Sequence, residues 1–118
     1  MPRILICGSR EWTNFDKIKK ILLEYPQSDE TTIIHGNCKG ADKISGYLAK
    51  QLNMTIEVYP ADWKKYGRAA GPIRNQQMLD NGKPDICYAF HDCIEKSKGT
   101  KDMVNRCKAD GLTVNIIC

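Results

Sequence analysis

The chain has 118 residues, 42% of them hydrophobic and 27% charged, which permits one packed core, is too short for two and excludes a disordered chain. Its 18 Lys and Arg against 14 Asp and Glu leave a formal charge of +4, a mild bias toward anionic partners that falls short of making nucleic acid the default one. No apolar run is long enough to span a bilayer, and Met1-Pro2-Arg3-Ile4-Leu5-Ile6-Cys7 is too short for a signal peptide, so a cytoplasmic protein without a membrane partner is expected.

Five apolar runs alternate with four helical patterns, the arrangement of crossover units in a mainly parallel sheet. The first strand is expected from Arg3 to Cys7, followed by the loop Gly8-Ser9-Arg10. Thr13 and Asp16 resemble a capping box that opens a helix with Phe15, Ile18, Leu22 and Tyr25 on one face, and Pro26 ends it. The second strand, Thr31 to Ile34, leads through His35-Gly36-Asn37-Cys38-Lys39-Gly40 into a helix whose apolar face is Ala41, Ile44, Leu48 and Leu52. The third strand runs from Met54 to Tyr59. An irregular stretch from Ala61 to Gly71 precedes a helix with Pro72 in its first turn and Gly82 beyond its end. The fourth strand is expected over Asp85 to Phe90, the last helix over Thr100 to Ala109 with Gly111 as its stop, and the fifth strand over Leu112 to Ile117.

Continuous apolar runs such as Ile4-Leu5-Ile6-Cys7 and Ile86-Cys87-Tyr88-Ala89-Phe90 suit strands buried on both faces, whereas the alternation in the third and fifth strands suits edges. Right-handed crossovers then give the order 3-2-1-4-5 in a three-layer α/β sandwich, with residues 1–118 as one domain. In such a sheet the ligand crevice lies beyond the carboxyl ends of the strands where the order reverses, between the first and fourth. This brings Gly8-Ser9-Arg10, the segment from His91 to Gly99 and the loop from His35 to Asp42 to one rim.

Six cysteines occur without CxxC pairs, so reduced, structural thiols are expected. Cys38 stands apart, in a glycine-containing loop beside Lys39. The loop Gly36-Asn37-Cys38-Lys39-Gly40-Ala41-Asp42 has glycines that permit close approach to a phosphate at a helix start, yet it is neither a Walker loop nor a GxGxxG fingerprint. It reads equally as a tight turn with Asp42 at a helix N-terminus. Lys98-Gly99-Thr100 is a second glycine-bearing helix entrance with Thr100 as the N-cap, and the two entrances together would cradle phosphates. Arg10 offers a fixed positive charge and Ser9 a hydrogen bond. Trp63 and Tyr66 suit either a loop anchor or a stacking platform, and Arg74 and Asn75 either reach a ligand or brace the loop. His35 and His91 each follow a strand without metal-ligand spacing, and no metal or cofactor is expected.

Gly8-Ser9-Arg10, His35-Gly36-x-Cys38-x-Gly40-Ala41-Asp42, Pro60-Ala61-Asp62-Trp63, Gly67-x-Ala69-x-Gly71-x-x-Arg74-Asn75-x-x-Met78, Ala89-Phe90 and Lys98-Gly99-Thr100 together resemble the YspA, cpYpsA-related branch of the SLOG superfamily. The resemblance implies a Rossmann-like fold whose glycine loops bind nucleotides or their derivatives, as a sensor or processing module, and a phage or viral source. Distant relatives are the Lonely Guy phosphoribohydrolases and the DprA proteins, which bind single-stranded DNA. By analogy it also implies a homo-oligomer, taken as a homodimer. The phosphoribohydrolase signature Pro-Gly-Gly-x-Gly-Thr-x-x-Glu is incomplete here: only Lys98-Gly99-Thr100 survives of its glycine part, and Met103 stands at the glutamate position.

The first reading is therefore a nucleotide-binding module. Its phosphates would lie over Gly36 to Gly40 and against Lys98-Gly99-Thr100, with Arg10 and Arg74 as charge partners and Asp42 or Asn75 on ribose hydroxyls. An N-glycosidic hydrolase is the alternative, with Asp42 and Asp62 as its remaining carboxylates. The third reading is single-stranded nucleic acid binding through Lys64, Lys65, Arg68 and the lysines Lys96, Lys98 and Lys101.

Overall fold

A computed structural model describes residues 1–118. The strands are β1 (Arg3–Gly8), β2 (Thr32–His35), β3 (Thr55–Val58), β4 (Ile86–Phe90) and β5 (Thr113–Ile117). The helices are α1 (Phe15–Leu22), α2 (Ala41–Gln51), α3 (Trp63–Tyr66), α4 (Ala70–Asp80) and α5 (Gly99–Ala109), with 3-10 turns at Gly67–Ala69 and Ile94–Lys96. All strands are parallel, in the order β3-β2-β1-β4-β5, so the expected topology holds. Leu5 on the central strand registers with Ile34 on one side and Cys87 on the other.

The continuous apolar runs have a direct structural reading. Ile4 and Ile6 of β1 point with Ile33, Tyr88 and Phe90 into a core closed by Ile18 and Leu22 of α1 and by Ile44 and Leu48 of α2. Leu5 and Cys7 point the other way, with Ile34, Cys87 and Ala89, into a core closed by Met78 and Leu79 of α4 and by Met103, Val104 and Cys107 of α5. Two buried faces demand apolar side chains at every position of a strand. The outer strands lack that constraint: Val58 of β3 and Ile116 of β5 are both exposed, as expected for edges.

Several boundaries differ from the sequence reading. Asn14, not Thr13, caps α1, its Oδ1 accepting from the Lys17 amide at 3.1 Å. The helix stops at Leu22, leaving Tyr25 beyond its end, while Phe15 at its start is exposed. The stretch expected to be irregular contains α3, capped by Asp62, whose Oδ1 accepts from the Lys65 amide at 3.1 Å. Thr100 is not the cap of α5: it lies buried in the first turn, and its amide donates to Ser97 Oγ at 3.0 Å. Asn and Ser one to three residues away supply the same short side-chain acceptor, which is why the motif signals a helix start more reliably than its exact residue. No helix is long and apolar enough to cross a membrane. All six cysteines are free thiols, with Cys7, Cys87 and Cys107 buried.

Candidate functional site

A cleft of about 650 Å³ opens over the carboxyl ends of β1 and β4, where the strand order reverses. Because α1 and α2 cover one face of the sheet and α4 and α5 the other, the cleft has two walls. The β1 loop and Asp42 of α2 contribute one, and Trp63, the start of α4 and the first turn of α5 contribute the other. The floor is the end of β1, Cys7 and Gly8. A side chain at Gly8 would meet the Phe90 carbonyl and come within 2.7 Å of Ala41 Cβ, so only glycine lets β1, β4 and α2 converge here.

The β1 loop is tied down through Ser9. Its amide donates to the Phe90 carbonyl at 2.9 Å, its Oγ accepts from the Glu11 amide at 2.9 Å, and its carbonyl accepts from the Ala41 amide at 3.2 Å. Arg10 follows, exposed and without a hydrogen-bond partner of its own, and lines the cleft. Gly40 holds φ +85°, and a Cβ there would collide with the Ser9 carbonyl. The second glycine of the β2 loop thus serves loop-on-loop packing.

Of the two readings of the β2 loop, the structure shows the tight turn held by Asp42. The amides of Gly36 and Cys38 both donate to Asp42 Oδ2, at 3.0 and 3.2 Å, and the Asn37 amide donates to His35 Nδ1 at 3.0 Å. The Gly36 and Cys38 amides are thus taken by a carboxylate of the chain and the Asn37 amide by an imidazole, so these three are not free for a phosphate. His35, Gly36, Asn37, Lys39 and Gly40 lie outside the cleft, while Cys38 and Asp42 line it. His35 is 4% exposed, and a Cβ at Gly46 would come within 2.6 Å of its Nε2. Burial, reinforced by the charge of Lys43, lowers its imidazole to about 4, so it is a neutral acceptor for Asn37.

Asp42 is 6% exposed. Burial raises its carboxyl to about 6, against the opposing pull of the Cys38 and Gly36 amides and of the Arg74 and Arg10 charges. Both loop amides use Oδ2, leaving Oδ1 without a partner from the chain. No buried or half-buried residue has a side-chain oxygen that is both sealed from solvent and unpaired, so Oδ1 opens on the cleft that Asp42 lines.

Arg74 and Asn75 are braces. Buried Arg74 donates from Nε to Asn75 Oδ1 at 3.0 Å, from one terminal nitrogen to the Gly36 carbonyl at 2.5 Å, and from the other to Cys38 Sγ at 3.7 Å. Asn75 Nδ2 donates to Asp102 Oδ2 at 2.9 Å and to the Gly99 carbonyl at 3.4 Å. Asp102 in turn accepts from Arg106 Nε at 2.8 Å. Both Nδ2 hydrogens of Asn75 are used, and the network locks the β2 loop to the first turn of α5 through α4.

The first turn of α5 remains open. The amides of Gly99 and Lys101 have no acceptor within the chain, and a Cβ at Gly99 would meet nothing within 4 Å. Of the two, Gly99 lines the cleft, so the helix N-terminus presents a free donor there, with Lys98 and Thr100 beside it. Met103, at the signature's glutamate position, is buried at the inner end of the same wall. Trp63 is 51% exposed, its ring edge over Gly71, so it is a cleft wall and not an anchor in the core. Asp62 lies outside the cleft as the cap of α3, so the two carboxylates of the hydrolase reading do not meet.

His91, expected at the rim directly after a strand, and Arg68, expected as a cation for nucleic acid, both line the cleft. Asp102, the hub of the brace, was not anticipated, and it is reached only through Asn75, with no local signal to mark it.

The comparisons with known proteins agree with this architecture. A model described as YAcAr, the YspA, cpYpsA-related SLOG family, matches residues 2–66, more than half of the chain. Gene 61 protein of Mycobacterium phage D29 is 33% identical over 123 residues, which cover 97% of this chain and 94% of that protein. DNA processing protein A (DprA) from Streptococcus pneumoniae superimposes with a TM-score of 0.71 at 18% identity. All of this chain is covered but 50% of that one, so the chain spans half of DprA and shares its Rossmann-like fold. On the extent of the family match and the identity to the phage protein, the chain belongs to the YspA, cpYpsA-related SLOG family.

Proposed function

We propose that the whole chain acts as one domain that binds a nucleotide or nucleotide-derived ligand in the cleft at the carboxyl edge of the sheet. The observation that carries this reading is the convergence of a free donor and cations there. The unpaired Gly99 amide of α5 lies at a cleft also lined by Arg10, Arg68 and Lys98. A helix N-terminus and fixed positive charges favour a phosphate, and the half-exposed indole of Trp63 offers a surface for a base. Gly8, Ser9, Cys38, Arg74 and Asn75 shape this site, with the phosphate on α5 and not on the β2 loop. Family membership supports a nucleotide-related role.

The test is thermal unfolding with a panel of nucleoside mono-, di- and triphosphates, cyclic nucleotides and ADP-ribose, on the wild type and on Gly99→Asp. A raised midpoint with at least one compound, lost in Gly99→Asp, is expected. No shift across the panel refutes the reading.

A second reading is favoured by α3, where exposed Trp63 and Tyr66 adjoin Lys64, Lys65 and Arg68, with Lys65 Nζ 5.1 Å from the Tyr66 ring centroid. Aromatic platforms interleaved with cations suit single-stranded nucleic acid. Affinity for an oligonucleotide that falls steeply with salt, without any nucleotide binding, would select it.

A further inference from the structure

Three carboxylates line the cleft, and Asp42 is the one that is buried and yet outside the brace. Asp102 is held by Asn75 and Arg106, and Glu11 lies on the exposed β1 loop. Asp42 is more than nine-tenths buried, and its Oδ2 is pinned by two backbone amides while Oδ1 faces the cleft. A side chain held this way cannot swing aside to suit a ligand. Whatever binds must satisfy it or lose affinity.

The ligand group that meets Oδ1 is constrained by charge. Above its titration range the carboxylate is an acceptor only and repels a phosphate. The group is therefore a hydrogen-bond donor and not an anion. On a nucleotide these are the sugar hydroxyls and the amino groups of some bases. The free Gly99 amide of α5 lies on the wall opposite Asp42, and Trp63 lies toward the start of α4. With phosphate at α5 and base at Trp63, both on that wall, the sugar that joins them is the portion left to face Asp42. An oxygen with two lone pairs can take both hydroxyls of a vicinal diol.

Resting on the nucleotide reading above, we propose that Asp42 is the specificity-determining residue of the cleft, its free Oδ1 accepting from the 2′- and 3′-hydroxyls of a ribose, so that the site takes ribonucleotides over 2′-deoxyribonucleotides. The experiment is isothermal titration of the full chain at neutral pH with ADP, 2′-deoxy-ADP, UDP and 2′-deoxy-UDP, repeated on Asp42→Asn. In that variant the side-chain oxygen still serves the Gly36 and Cys38 amides while an amide nitrogen faces the cleft. The wild type should prefer each ribonucleotide by roughly 10- to 100-fold, the range for a hydrogen bond to a charged group. Asp42→Asn should reduce that preference to about threefold or less.

Binding with no ribose preference overturns the inference and leaves the nucleotide reading standing. Binding that separates ADP from UDP but not either from its deoxy form assigns Asp42 to a base amine and overturns it too. So does a preference that survives in Asp42→Asn. Absence of binding by all four, together with silence across the wider panel, removes the nucleotide reading and the inference with it. If Asp42→Asn does not fold, the carboxyl carbon of Asp42 in wild-type 13C spectra serves instead. It should shift on adding the ribonucleotide and not its 2′-deoxy form, and equal shifts refute the proposal.

Discussion

Asp42 and His35 are buried neighbours of one loop whose protonation linkages oppose each other, and replacing one should expose the other. Burial raises Asp42 from its ordinary 3.8 to about 6. A raised carboxyl contributes stability that is fully present below 3.8 and is lost as pH rises through 6, because the folded state there binds the proton more tightly than the unfolded chain. His35 is lowered from 6.5 to about 4. Its contribution is present above 6.5 and is lost as pH falls through 4, since the unfolded chain takes up the proton first. Each shift corresponds to about 3 kcal/mol at 1.36 kcal/mol per pKa unit. Between pH 4 and 6 the two slopes have opposite signs and cancel, so their joint contribution to wild-type stability is flat there.

In Asp42→Asn the amide oxygen replaces Oδ2 as acceptor for Gly36 and Cys38, and only the titration is lost. Urea unfolding at constant ionic strength from pH 4 to 7, for wild type and variant, gives the difference in ΔG at each pH. Other titrating groups drop out of that difference. The variant should gain on the wild type by about 2–3 kcal/mol from pH 4 to 7. A difference constant to within about 0.5 kcal/mol would mean that the two amides with Arg74 and Arg10 outweigh burial, and that Asp42 is ionised throughout. The reasoning about the loop would then be wrong at its centre.

The remaining predictions separate packing from binding. Gly40→Ala, at φ +85° with the Ser9 carbonyl in the way, should cost about 2 kcal/mol or more of unfolding free energy, whereas Gly99→Ala, where nothing lies within 4 Å, should stay within about 0.5 kcal/mol; chemical denaturation of both distinguishes a packing glycine from an open one. Arg74→Met leaves the Gly36 carbonyl and Asn75 Oδ1 without their buried donor and should destabilise by about 2–4 kcal/mol in the same measurement. Trp63→Ala removes a half-exposed ring, so stability should change by less than about 1 kcal/mol while affinity for whichever nucleotide binds falls about tenfold or more by titration calorimetry. Incubation with nucleoside monophosphates should release no free base, measured by chromatography, because Asp62 is engaged as the α3 cap and Met103 supplies no carboxylate; release abolished in Asp42→Asn would establish the hydrolase instead.

How far the chain could be read in advance follows from where each signal is local. Strand order was legible because burial on both faces leaves its mark residue by residue: Ile4 to Cys7 has no polar position to spare, while Val58 and Ile116 tolerate exposure. The rim at which the loops meet then follows from crossover handedness alone. Cap identities were legible only to within a turn, since Asn14 and Ser97 offer the same chemistry as Thr13 and Thr100. The division of labour inside the site was legible only as a pair of alternatives for Asp42 and for Arg74 with Asn75. Gly36-x-Cys38-x-Gly40 looks the same in sequence whether its amides await a phosphate or are already taken, and only the φ, ψ path of the loop decides whether Asp42 curls back onto them.

A loop held by its own carboxylate has a physical logic that extends to the whole cleft. A loop whose amides wait for a ligand stays mobile until one arrives, and ordering it on binding costs conformational entropy. Asp42 orders this loop in advance by acting as its resident anion, and Arg74 locks the outer side of the loop through the Gly36 carbonyl. The same arginine, through Asn75, fixes the Gly99 carbonyl and Asp102 at the start of α5, so the free amides of that helix are held in place by a network that begins at the occupied ones. Of the two helix entrances the sequence offers, one is filled so that the other is rigid. Breaking the link at Asn75 should therefore weaken nucleotide affinity, and Asn75→Ala with unchanged affinity in a protein that still folds would show that the two entrances act independently.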